Sequence, residues 1–134
     1  MSNPSAETNL YRARLLNVAK ALRESPKPEK FDMSDVIHPC GTPACAFGHY
    51  AWRTDLQDAF EPLAVGDMGW WDVVFADTKK HCRYYGSEVR DHFGLTQDEL
   101  DELFEETGCG GAKTPIEAAE YVEAFVDRKY PVTA

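Results

Sequence analysis

The sequence predicts a mainly α-helical fold: a single small domain of four to six packed helices, with at most a minor strand element near residues 70–76. Three observations carry this reading. Apolar residues recur at spacings of three and four at both ends of the chain, as one buried helix face requires. Two Thr-x-x-Glu patterns, at Thr96–Glu99 and Thr114–Glu117, stand directly before such stretches, where a capping box satisfies backbone N–H groups that a helix start leaves open. Only Trp70 to Ala76 has the aromatic and β-branched composition of a strand.

Taken in order, the first helix spans about Glu7 to Arg23. Tyr11, Leu15, Val18, Ala19 and Leu22 share one face, and Ser25-Pro26-Lys27-Pro28 stops it, because each proline disfavours helical geometry in the residue before it. Phe31-Asp32-Met33 and a polar turn follow. Thr42-Pro43 reads as a second helix start, with Thr42 as N-cap and Pro43 at the first position, and the helix carries Ala44 to about Arg53. Asp55 to Ala64 is weakly helical and interrupted by Pro62. Val65 to Gly69 is a loop. Trp70 to Ala76 does not alternate, so strand and buried helical turn fit equally, and no second segment offers a comparable strand partner.

The last third is clearer. Ser87 to Phe93 is a short helix stopped by Gly94. Leu95 and Leu100 flank the first capping box as a hydrophobic staple. Leu100, Leu103 and Phe104 face inward on the helix that follows, which Gly108 ends; Cys109-Gly110-Gly111 is a flexible connection. The second capping box, with proline at its first position, opens a helix carrying Ala118, Ala119, Val122, Phe125 and Val126 inward. No repeat or linker divides the 134 residues, so residues 1–134 form one domain, with 1–6 read as disordered.

The formal charge of −9 argues against direct nucleic-acid binding, which needs clustered Lys and Arg, and against anionic membranes. It permits a basic protein partner. No apolar run approaches the roughly 18 residues of a membrane span, and the first residues lack a signal-peptide pattern. A cytoplasmic location follows as an expectation, with Cys40, Cys45, Cys82 and Cys109 as reduced thiols.

The most unusual stretch is His38 to His49. As a metal site, Cys40, Cys45 and His49 offer two sulfurs and an imidazole. Zinc, as the candidate cofactor, would need a fourth ligand from His38, His81, Cys82 or Cys109. As a thiol site, Cys45 in a first helical turn would have its thiolate favoured by the helix dipole, with Cys40 as resolving thiol. As packing, Cys45 is a small hydrophobe, Gly48 permits close approach and His49 is a satisfied core histidine. The packing reading is preferred, so neither a cofactor nor a catalytic residue is assigned. No P-loop, dinucleotide fingerprint, Gly-x-Ser-x-Gly elbow or His-Glu-x-x-His motif is present, which leans away from an enzyme. Candidate partner-binding residues are Trp70 and Trp71, because tryptophan is enriched at interaction hot spots, and Glu102, Glu105 and Glu106 on an acidic helix face. Lys79 to Arg83 is the densest basic patch.

Phe31-Asp32-Met33, Cys40-Gly41-Thr42-x-x-Cys45-x-x-Gly48-His49, Gly94-Leu95-Thr96, Leu103-Phe104 and Thr114-Pro115, in this order, resemble a family of small bacterial and phage-encoded proteins with no established activity. In that family the position matching His49 can be tryptophan, which favours packing over ligation there. The resemblance implies a bacterial or phage setting and assigns no residue a role. The leading expectation is a small acidic accessory protein that binds another macromolecule. The rival is a metal-binding or thiol-redox protein using Cys40, Cys45 and His49.

Overall fold

The computed structural model describes residues 6–33, 37, 43–57, 59–65, 70–79, 87–105 and 107–131; within these, the side chains of residues 64, 65, 70–72 and 87 are not described. The described residues form a mainly helical domain with one small sheet. Its elements are α1 (Ala6–Arg23), a 3-10 turn (Pro28–Lys30), α2 (Ala46–Trp52), β1 (Phe60–Val65), β2 (Trp70–Phe75), α3 (Ser87–Phe93), α4 (Gln97–Phe104) and α5 (Pro115–Lys129).

The first and last helices form the most extensive helix pair. Leu15, Val18, Ala19 and Leu22 of α1 are fully buried, as are Ala118, Ala119, Val122 and Val126 of α5. Their apolar periodicity therefore describes one shared seam. A bidentate Arg23–Glu123 pair, at 2.8 and 2.6 Å, closes its outer edge. The Arg23 guanidinium lowers the Glu123 carboxyl below its ordinary range.

Helix α2 is the centre of the molecule. Ala46 to Ala51 are all buried. Phe47 meets Phe60 of β1 and Phe104 of α4 edge-on, with centroids 5.2 and 5.9 Å apart. Tyr50 meets Phe93 of α3 at 5.3 Å. Such offset and edge-on contacts add to the burial of apolar area. The Tyr50 hydroxyl bonds His92 Nε2 at 2.8 Å, which satisfies two buried polar groups together.

Four expectations need correction. Helix α2 begins at Ala46, three residues later than the Pro43 start expected, and its N-cap is Cys45 instead of Thr42. Pro43 forms a β-bridge with Ile37, so the proline sits in extended backbone and the helix starts beyond it. The segment expected to be weakly helical contains β1, which pairs antiparallel with β2, Phe60 opposite Phe75 through Val65 opposite Trp70. Glu61, Pro62 and Ala64 are poor strand formers, but pairing overrides propensity, and a two-stranded ribbon leaves an outer edge where a proline's missing N–H is tolerated. Val73 and Val74 point to opposite faces of β2 and both are buried. This two-sided cover explains why the strand shows no alternation.

The third correction concerns the end of α4. The helix stops at Phe104 with Glu105 as C-cap. Gly108–Gly111 is a left-handed turn in which Cys109, Gly110 and Gly111 have φ of 55°, 65° and 75°. This segment is a shaped corner, and Cys109 within it is buried. Fourth, the capping box at Thr96 forms with both arms, but that at Thr114 forms one. Thr114 Oγ1 accepts from the Glu117 N–H at 3.1 Å, and the Glu117 carboxylate accepts from the Thr114 hydroxyl at 3.3 Å instead of from its N–H.

Gly94 ends α3 at φ +64°, and a Cβ built there would lie 2.4 Å from the Tyr11 ring. Gly111, at φ +75°, faces open space. Gly94→Ala is therefore expected to lose about 2–4 kcal/mol, combining left-handed strain with a clash. Gly111→Ala is expected to lose only about 1–2 kcal/mol from strain. Urea denaturation of both variants checks the order; equal losses would contradict the Tyr11 contact.

Candidate functional site

The start of α2 brings together two of the three residues singled out as a thiol or metal site. A helix exposes unpaired N–H groups at its start, and a buried start cannot turn to water for partners. Cys45 supplies one: its Sγ accepts from the Gly48 N–H at 3.3 Å. The Cys45 carbonyl accepts twice, from the His49 N–H at 2.9 Å and from His49 Nδ1 at 2.8 Å. A carbonyl can only accept, so Nδ1 carries the hydrogen. In the neutral ring Nε2 then accepts from the Ser25 hydroxyl, 2.7 Å away. Both ring nitrogens of the buried His49 are thus engaged, and the Phe31 ring lies 6.1 Å from it. A metal at Nε2 would have to displace Ser25.

Cys109 serves a helix end of the opposite kind. Its thiol donates to the Leu103 carbonyl at 3.3 Å, one of the acceptors that the last turn of α4 leaves open. Cys45 and Cys109 share the hydrophobic core. Burial, reinforced by the negative charge that Cys45 and Glu102 would place nearby, pushes the Cys109 thiol up to about 12. A thiol so raised carries almost no thiolate near neutrality, and thiolate is the nucleophilic form.

Among the described residues no group of three or more His, Cys, Asp or Glu side chains could hold a metal ion. Cys40, and the further candidate ligands His38, His81 and Cys82, lie outside the described residues.

The candidate partner-binding residues divide. Trp70 and Trp71 lie in β2, opposite Val65 and Ala64. Glu102 is engaged within the fold: its carboxylate accepts from the Tyr121 hydroxyl at 2.7 Å and from Arg128 at 3.0 Å, and this raises the Tyr121 pKa. Glu105 is exposed, and Glu106 lies outside the described residues. On the same helix, burial alone would raise the Glu99 carboxyl. Lys129 and the Thr96 N–H outweigh that, and it titrates below its ordinary range. Lys79 of the basic patch pairs with Glu61, and residues 80–86 lie outside the described residues.

Ser25 is the residue that sequence reasoning missed. It was legible only as part of a helix stop, because its partner His49 is 24 positions away and no local pattern links them. Trp52, the last residue of α2, is 39% exposed. Comparison with protein-family models, with curated proteins and with solved structures finds no match to this chain.

Cys45→Ala is expected to cost about 1–3 kcal/mol, by losing the cap and leaving a small void, read as a lower urea midpoint. The Cys109 pKa is raised above its unfolded value. Its stabilising contribution is therefore complete below about pH 9 and lost as the pH climbs toward about 12. Tyr130, pushed up to about 12 mainly by burial, acts in the same direction. Stability measured from about pH 8 to about pH 10.5 is expected to fall, and Cys109→Ala to fall less steeply over the same range. An unchanged slope in Cys109→Ala would exclude this thiol as a source of the decline.

Proposed function

We propose that the protein is a small accessory binding module that engages a protein partner through the β1–β2 ribbon. The observation that carries this reading is the exposure of Leu63, 41% accessible, in the middle of β1. At the ribbon's base Phe60 and Val73 are anchored in the core. Beyond that base the register runs through Leu63 and Asp72 to the Trp71 and Trp70 positions. A fixed base with an apolar residue offered to solvent suits recognition, since a preordered surface loses less entropy on binding. Tryptophans are the side chains most enriched at the energetic centres of interfaces. Among the described residues the sheet has two strands, so an extended partner segment can add to an outer edge by main-chain hydrogen bonds. The charge of −9 selects a basic partner and speeds encounter with it.

The rival is thiol or metal chemistry at Cys40, Cys45 and His49, and it makes different demands. It requires bound zinc in the purified protein, or a thiol that alkylates quickly in the native state.

A photo-crosslinking amino acid placed at Leu63 and, as control, at the exposed Asp127 of α5 tests the binding reading in bacterial lysate. Leu63 is expected to yield a discrete adduct that Asp127 does not. The adduct should weaken from about 0.05 M to about 0.5 M salt and should be lost in Trp70→Ala. Identical adducts from both positions would overturn the ribbon as the binding surface. Stoichiometric zinc or a rapidly alkylated native thiol would favour the rival.

A further inference from the structure

We propose that the cavity between α1 and residues 54–57 binds a small carboxylic acid with an apolar tail, its carboxylate held by Arg14. The cavity encloses about 400 Å³, within the size range of small-molecule sites. Arg14 lines it and is fixed by one hydrogen bond, from Nη1 to the backbone carbonyl of His92 at 2.7 Å. A guanidinium has five N–H donors in a rigid planar fork. One bond to a neutral oxygen therefore orients the group and leaves its charge and its other donors uncommitted. Among the described residues Arg14 has no carboxylate partner, whereas Arg23, Arg53, Lys79, Arg128 and Lys129 each meet one. A carboxylate matches the fork with two parallel hydrogen bonds. In the same wall stand the Thr54 hydroxyl and the second amide hydrogen of Asn17, whose first donates to the Leu56 carbonyl at 3.1 Å. Leu10, Ala13 and Leu56 supply apolar wall. Leu10 is 46% exposed, so an aliphatic tail laid over it removes apolar surface from water.

Both signs of charge line this cavity, but they are not equivalent. Asp55 accepts from Arg53 Nε at 2.8 Å and from Arg53 Nη2 at 2.7 Å, so both of its oxygens are engaged and its charge is balanced within the fold. Tyr50 and Gln57, also in the wall, are engaged too: the Tyr50 hydroxyl with His92, and the Gln57 amide with Ala51 and the Ala59–Phe60 backbone. Arg14 thus sets the sign of the ligand. A carboxylate brings one negative charge, which limits repulsion from the net −9; a phosphate dianion would bring two. Two further cavities lack this arrangement. At the Thr107–Lys113 corner the cation is Lys113, exposed and with no bonded neighbour among the described residues to orient it. Beside Cys109 and Tyr121 the wall offers Glu117 and Glu120 without a cation. The Arg14 cavity uses no residue of the β1–β2 ribbon or of the Cys45 cap, so it stands independently of the binding reading.

Hexanoate is the probe, titrated into the intact protein while the backbone amides and the Arg14 Nε–H are followed by NMR. Saturable shifts centred on Arg14, Asn17, Thr54 and Leu56 are expected, with a dissociation constant on the order of 1–10 mM for a ligand of this size. 1-Hexanol, which keeps the tail without the charge, should bind about fivefold more weakly, as loss of one solvent-accessible ion pair implies. Acetate, which keeps the charge without the tail, should bind about tenfold more weakly or worse. Arg14→Gln should bring hexanoate down to the affinity of hexanol and leave hexanol unchanged. Leu10→Ala, at an exposed position, should weaken both ligands alike. If Arg14→Gln unfolds, the ligand series and Leu10→Ala decide alone. No saturable shift, shifts centred elsewhere, equal affinity for hexanoate and hexanol, or a folded Arg14→Gln protein that still prefers hexanoate would overturn the proposal.

Discussion

A helix of seven residues, sealed on nearly every side by apolar neighbours, sets the terms for this molecule. Helix α2 has six consecutive buried residues, so no solvent is at hand for the polar groups of its first turn. Those groups are served from within the chain. The Cys45 sulfur takes the Gly48 N–H, and the His49 ring bridges the Cys45 carbonyl and Ser25. The aromatic contacts of Phe47 and Tyr50 then place β1, α3 and α4 around that helix. In a close-packed interior, each of these elements is positioned by the one helix they share. Ala46 and Ala51 of α2, and Cys45 at its N-cap, are part of the same buried cluster.

The peculiar residues of the His38–His49 stretch take on physical meaning in this setting. Cysteine and histidine invite a chemical reading because they ligate metals and react. Here Cys45 and His49 do what backbone amides and water do elsewhere: they close hydrogen bonds at a helix terminus. Cys109 repeats the device with the opposite polarity, as a donor to the end of α4. A thiol can act on either side of a hydrogen bond while remaining small and apolar enough to bury, which suits termini that have no access to solvent.

Much of the helical fold was legible in the sequence because its signals are local. The α1 periodicity, the Gly94 stop and the box at Thr96 each lie within a few residues, and each reappears in the structure. The misreadings share a different origin. The α2 start was displaced because Pro43 answers to Ile37 across a bridge, a contact that no helix-start pattern encodes. Strand β1 was hidden because its stability lies in its partner, not in Glu61, Pro62 or Ala64. The corner at Cys109 looked flexible because glycine permits many conformations, and burial of the neighbouring cysteine selects one. At the candidate site, Cys45 and His49 could be found by residue type. The Ser25 contact is a product of the tertiary fold alone.

The pairing of α1 with α5 has a bearing on how the chain is made. Arg23 and Glu123 meet across 100 positions, and the apolar faces beside them cover each other. During synthesis α1 emerges long before α5 exists, so the part of its apolar face that α5 covers stays open until α5 has left the ribosome. Closing so long a loop is an entropic burden carried late. A ribosome stalled before α5 would hold a sticky, half-built molecule, a natural client for chaperones that shield apolar helices.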